Sequence, residues 1–112
     1  MKIGIIGAGK VGATIATLLE SCGFCKAVTL ADTRAGIDLA GLRKAKLAHV
    51  DVSQPTQLTG FVRGRDAIVS AAPYFLNKGI AEVCARAGVS YFDLTEDVET
   101  TRVLGRFLHG SM

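Results

Sequence analysis

A chain of 112 residues is enough for one domain with an enclosed core and short for a two-domain enzyme. Its 49% apolar and 21% charged residues are the proportions of a globular protein, and no apolar stretch reaches the length of a membrane-spanning helix. Thirteen Lys and Arg against ten Asp and Glu give a net charge of +3, scattered along the chain without the basic stripe of a nucleic-acid binder.

Lys2 followed by an apolar run is shared by secretory leaders and by the first strand of nucleotide-binding folds. Gly4, Gly7, Gly9 and Gly12 would weaken a leader helix, since each gives up more backbone entropy than alanine, and Lys10 interrupts the run. The pattern instead predicts a strand in "KIGIIG", a glycine turn, and a helix carrying Val11, Ile15, Leu18 and Leu19 at helical spacing. "KAVTLAD" (26–32) reads as a second strand. A weaker helical stretch over 34–45 carries Leu39 and Leu42, and "LAHVDV" (47–52) reads as a third strand.

Ser53 as N-cap and Pro55 in the first turn predict a short helix through Leu58 and Phe61, ending near Gly64. "DAIVSAAP" (66–73) is a fourth strand. The helix over 76–87 holds Ile80, Val83 and Cys84 on one stripe and closes on Gly88, "VSYFDL" (89–94) is a fifth strand, and a last helix runs from Glu96 to about Leu108. Apolar strands alternating with helices imply a parallel sheet covered on both faces. The expected fold is α/β, a Rossmann-type doubly wound sheet of about five strands in the order 3-2-1-4-5 within three α/β/α layers, with residues 1–112 forming one domain.

Three cysteines do not make a disulfide framework, and the Cys22–Cys25 pair lies at a helix C-terminus, where the dipole would not lower a thiol pKa. With Cys84, His49 and His109 showing no paired spacing, no zinc site is expected, and the chain is expected in the cytoplasm.

Gly7, Gly9 and Gly12 form G-x-G-x-x-G between a strand and a helix, and Asp32 follows Gly12 by 20 residues at the end of strand 2. Gly7 permits the sharp turn, Gly9 lets a pyrophosphate approach the backbone, and Gly12 brings the helix close to the sheet. The helix start at Lys10 and Val11 offers N–H groups and a partial positive charge to phosphate. Asp32 can accept hydrogen bonds from the adenosine ribose hydroxyls, which favours NAD; Arg34 could pair with the 2′-phosphate of NADP or lie over adenine. After strand 3, Asp51 and Val52 are placed to contact adenine. After strand 4, Ser70, Ala71, Ala72 and Pro73 are placed near the nicotinamide-side ribose.

With "IGIIGAGKVGATIA", "LADTR", "HVDV", "RDAIVSAAPYF" and "GIAEVCARAGVSYFDLTED" in this order, the chain resembles the N-terminal NAD(P)-binding domain of the saccharopine dehydrogenase family. The resemblance implies an oxidoreductase acting on an amino-acid or amine-derived C–N bond, with cofactor roles at Gly7, Gly9, Gly12, Asp32, Asp51, Val52, Ala72 and Pro73. It implies no catalytic residue here, because the substrate pocket of the family lies largely in a second, downstream domain. Tyr74 and Asp93 fall on the ligand edge of the sheet, while His49 reads as a strand residue rather than a base. Partners are then the dinucleotide and that downstream domain, with no nucleic acid and no membrane; a homodimer through exposed apolar surface stays open. A different class, an NAD(H)-sensing regulatory module of a transporter or redox sensor without chemistry, uses the same glycine turn and acid.

Overall fold

The computed structural model describes residues 1–34, 39 and 41–93. Lys2–Ile6 forms β1, Lys10–Glu20 α1, Ala27–Asp32 β2, Ala45–His49 β3, Pro55–Val62 α2, Ala67–Ser70 β4, Tyr74–Ala87 α3 and Ser90–Asp93 β5. All four strand pairings are parallel, and the sheet order is β3-β2-β1-β4-β5. This is the expected Rossmann topology, with its switch point between β1 and β4.

The inner strands β1, β2 and β4 bury side chains on both faces, as helices on both sides of the sheet require. On one face Ile3, Ile5, Val28 and Leu30 pack with Ala16 of α1 and with Leu39 and Leu42. On the other, Ile6, Ala31, Ile68 and Tyr91 pack with Leu58, Phe61 and Val62 of α2 and with Ile80, Ala81 and Cys84 of α3. Side chains alternate between the two clusters along β1, so one strand serves both cores.

Several boundaries differ from expectation. β3 spans Ala45–His49 rather than 47–52, because it is an edge strand and can pair only where β2 runs alongside it: Val28 opposes Ala45, and Asp32, the end of β2, opposes His49. The helix expected over 34–45 is absent from residues 41–44, and Ala45 already belongs to β3. Residues 35–38 and 40 lie outside the described residues, as do the last predicted helix with its Leu104, Phe107 and Leu108 stripe, Glu96 and His109.

At α2 the N-cap is Gln54, extended as a residue before proline should be, with Pro55 at the helix start. Ser53 is not the cap. Its Oγ donates to Asp51 Oδ1 at 2.6 Å and its N–H donates to the same oxygen at 3.0 Å, closing an Asx turn. β4 stops at Ser70, three residues before Pro73, and α3 begins at Tyr74, two residues earlier than the periodicity placed it. Gly88 caps α3 in the left-handed conformation, as expected.

Candidate functional site

The site is built where β1 ends. Gly7 has φ +95°, a left-handed conformation that a side chain would strain, and a Cβ there would lie 3.1 Å from the carbonyl oxygen of Ala71. Its N–H donates to the Ala31 carbonyl at 2.8 Å, which ties the turn to β2. A Cβ on Gly12 would overlap the Gly7 carbonyl, so glycine is what allows α1 to start this close to the strand. Gly9 is different. It is the N-cap of α1, and among the described residues a Cβ there would meet just the Arg34 guanidinium nitrogen Nη2, at 3.4 Å.

Among the described residues no side chain caps α1, and its first turn carries no acidic residue. The leading N–H groups of a helix lack intrahelical acceptors, so this end suits an anion. Lys10 and Val11 are exposed at the helix start, and Gly12 is buried beneath it.

Asp32 ends β2 beside the turn. Its Oδ2 accepts the Ala8 N–H at 2.9 Å and Arg34 Nη2 at 3.0 Å, while Oδ1 accepts the Arg34 N–H at 2.9 Å and Arg34 Nε at 3.1 Å. The Arg34 fork holds the Asp32 carboxyl well below the usual carboxylate range; burial opposes this, and the two backbone N–H groups add to it. The two partners differ in freedom: the Arg34 side chain is 63% exposed and that of Asp32 10%.

The loops after β3 and β4 complete a cleft of about 340 Å³. Gly7, Gly9, Asp32, Arg34, Asp51, Val52, Ala71, Ala72 and Pro73 line it together with Ile6, Thr33, Val50 and Leu76. Nine of the thirteen residues singled out from the sequence therefore meet in one cleft; Lys10, Val11, Gly12 and Ser70 do not line it. The Asx turn with Ser53 keeps the Asp51 carboxyl below its ordinary value. Neither Tyr74 nor Asp93 lines the cleft. Tyr74 is exposed at the start of α3, with its ring edge-on to exposed Phe75. His49 is exposed at the end of β3, its Nε2 2.8 Å from the Thr33 carbonyl oxygen. Among the described residues no group of His, Cys, Asp and Glu could hold a metal ion, and the three cysteines are free thiols.

Behind the β4 loop lies a polar pair, of which the sequence reading named Ser70 and passed over Asn77. Ser70 Oγ donates to Asn77 Oδ1 at 2.6 Å, and both residues are 1% exposed. Ser70 Oγ also accepts the Ala72 N–H at 3.3 Å. A sequence signal for Asn77 did exist: it stands on the stripe of Ile80, Ala81 and Cys84, where an apolar residue belongs. Tyr91, also buried, brings its hydroxyl near Ser70 and Asp93 but short of hydrogen-bond geometry; burial, with the neighbouring carboxylate, pushes that hydroxyl up.

Residues 3–105 match the family described as the saccharopine dehydrogenase NADP binding domain. The chain belongs to that family. It is thus an NAD(P)-binding domain of the dehydrogenase-like oxidoreductases, as the resemblance implied. Several solved structures share the fold. A Rossmann-fold NAD(P)-binding family protein from Shigella flexneri is 15% identical over 98% of this chain and 61% of that one, with a TM-score of 0.68. Saccharopine dehydrogenase (L-Glu forming) from Saccharomyces cerevisiae is 19% identical over 92% of this chain and 23% of that one, TM-score 0.69. UDP-N-acetylglucosamine 3-dehydrogenase from Acidithiobacillus ferrooxidans is 20% identical over 99% and 35%, TM-score 0.68. The chain thus spans between 23% and 61% of the length of these three proteins.

Proposed function

We propose that this chain holds the cofactor of an oxidoreductase acting on an amino-acid or amine-derived C–N bond, with NAD favoured over NADP, in the cytoplasm. One observation carries the reading: Gly7 and Gly9 of the turn that leads into α1 line one cleft with Asp32, whose carboxylate the Ala8 N–H ties to that turn. A dinucleotide fits those groups. Its pyrophosphate would lie over Gly9, where no side chain intervenes, and its adenosine ribose would meet Asp32. Val52 and Asp51 would flank the adenine, and Ala71, Ala72 and Pro73 the nicotinamide-side ribose. Bound there, the cofactor supplies hydride chemistry, and these residues supply its position.

The preference for NAD follows from which partner of the ion pair can move. Asp32 is pinned by the glycine turn, whereas Arg34 is exposed and held by its fork to Asp32. Arg34 can swing aside and yield the carboxylate to the ribose hydroxyls. The same side chain offers a cation to a 2′-phosphate, which keeps the NAD preference modest.

Among the described residues the titratable side chains lining the cleft are Asp32, Arg34 and Asp51, the first two engaged with each other. We therefore assign substrate binding and proton transfer to a further domain, facing exposed Tyr74 and Phe75 beside the cleft. A thermal-shift comparison with NADH, NADPH and S-adenosylmethionine tests the reading. A ligand at about 100 times its dissociation constant stabilises by about 2.7 kcal/mol. NADH should give the largest shift; a response to S-adenosylmethionine alone would overturn the assignment, and a larger shift with NADPH would reverse the preference.

A further inference from the structure

We infer that Asn77, which does not line the cleft, is a positioning residue for its β4 wall. The inference rests on the reading of the cleft as an NAD(P) site and adds to it a residue behind that site.

A carboxamide buried on the apolar stripe of α3 is costly unless hydrogen-bonded, and an apolar side chain would fill that place without the cost. What the polar side chain adds is direction. The Ala72 N–H donates to Ser70 Oγ, and the Ser70 hydroxyl donates to Asn77 Oδ1, so one oxygen gives and receives at once. In such a chain each bond polarises the next, and the low dielectric around two residues exposed by 1% strengthens both.

The relay acts where the sheet ladder runs out. The Ala71 N–H still bonds to the Ile6 carbonyl at 2.8 Å, but Ala72 lies past the end of β4, and its N–H turns to Ser70 instead. Ala71, Ala72 and Pro73 wall the cleft, so the relay sets where that wall stands. Across the switch point, Asp32 and the glycine turn are fixed by their own bonds, which do not involve Asn77. A change at Asn77 should therefore be felt by a ligand that reaches the β4 wall and not by one confined to the β2 side.

The test is to titrate the full chain with NADH and with AMP in Asn77→Ala, Ser70→Ala and the double variant, after circular dichroism has shown each folded. Each single change should weaken NADH about tenfold while AMP stays within about twofold, as loss of a buried hydrogen-bond partner predicts. The double variant should bind NADH no worse than the weaker single, because both break one relay. A role in folding alone would lower thermal stability without separating the two ligands. If Asn77→Ala does not fold, Ser70→Ala, which leaves α3 untouched, carries the same expectation. Unchanged NADH affinity in a folded variant, or parallel losses of NADH and AMP, would overturn the inference. Failure of the wild-type chain to bind NADH would overturn the cofactor reading itself, and the inference with it.

Discussion

On its β2 side the cleft is held by the glycine turn and its bonds to β2, and on its β4 side the backbone bond of Ala71 is extended by side chains buried behind the loop. The glycine turn is fixed by the Gly7 N–H on Ala31, by the Ala8 N–H on Asp32, and by the fit of Gly12 against the Gly7 carbonyl. The β4 loop takes its position from Ser70 and Asn77, side chains that solvent barely touches. A wall made of backbone tolerates few residue types at its own positions. A wall set by a buried relay depends on a residue seven positions away, on the next helix.

The largest effect should come from placing the same methyl group at two glycines of the turn. In Gly12→Ala the new Cβ overlaps the Gly7 carbonyl, a backbone group with nowhere to go. We expect a loss of about 3 kcal/mol and a fall in Tm of more than roughly 10 °C. In Gly9→Ala the Cβ meets the end of an exposed, flexible Arg34, so Tm should stay within a few degrees. Paired thermal denaturation checks both; equal losses would show that the turn is packed alike at the two positions.

Arg34→Ala sharpens the account of the β2 side. Removing the fork leaves Asp32 open to ribose hydroxyls and takes away the cation that would face a 2′-phosphate. NADPH affinity should therefore fall about tenfold relative to NADH, the worth of one charge-assisted bond. Fluorescence titration with both cofactors measures the ratio. An unchanged ratio would remove Arg34 from cofactor selection.

A smaller effect follows from acid. The carboxyl of Asp32 titrates below its ordinary value of 3.8, chiefly because of Arg34. A depressed folded-state pKa stabilises the fold above the unfolded value, and this contribution is lost as pH falls toward the folded one. The Tm of the wild-type chain should therefore drop more steeply below about pH 4 than that of Asp32→Asn. The difference should be modest, because Arg34 is largely exposed and solvent screens the pair. Parallel curves would mean that the pair adds nothing to folding.

The β2 side could be read from sequence because its rules are local: the spacing of Gly7, Gly9 and Gly12, and Asp32 at the end of the following strand. The strand order followed from five apolar runs separated by helical patterns. The reading slipped where a tertiary partner decides. β3 extends as far as β2 lets it, so the apolar letters of Val50 and Val52 overstated its end. Ser53 looks like a helix cap, yet the carboxylate of Asp51 takes its hydroxyl. Asn77 was missed because its meaning depends on contact with Ser70, which no helical period encodes.

The central claim, that the cleft at the start of α1 takes a nicotinamide dinucleotide, is tested most directly by calorimetric titration of the wild-type chain and of Gly9→Val with NADH. Among the described residues a Cβ on Gly9 meets only Arg34, so a valine there should leave the domain folded while projecting into the pyrophosphate site. The account predicts saturable binding to the wild-type chain and at least about a tenfold loss in folded Gly9→Val. Equal NADH affinity in the two folded proteins would contradict it and leave the turn with packing as its role.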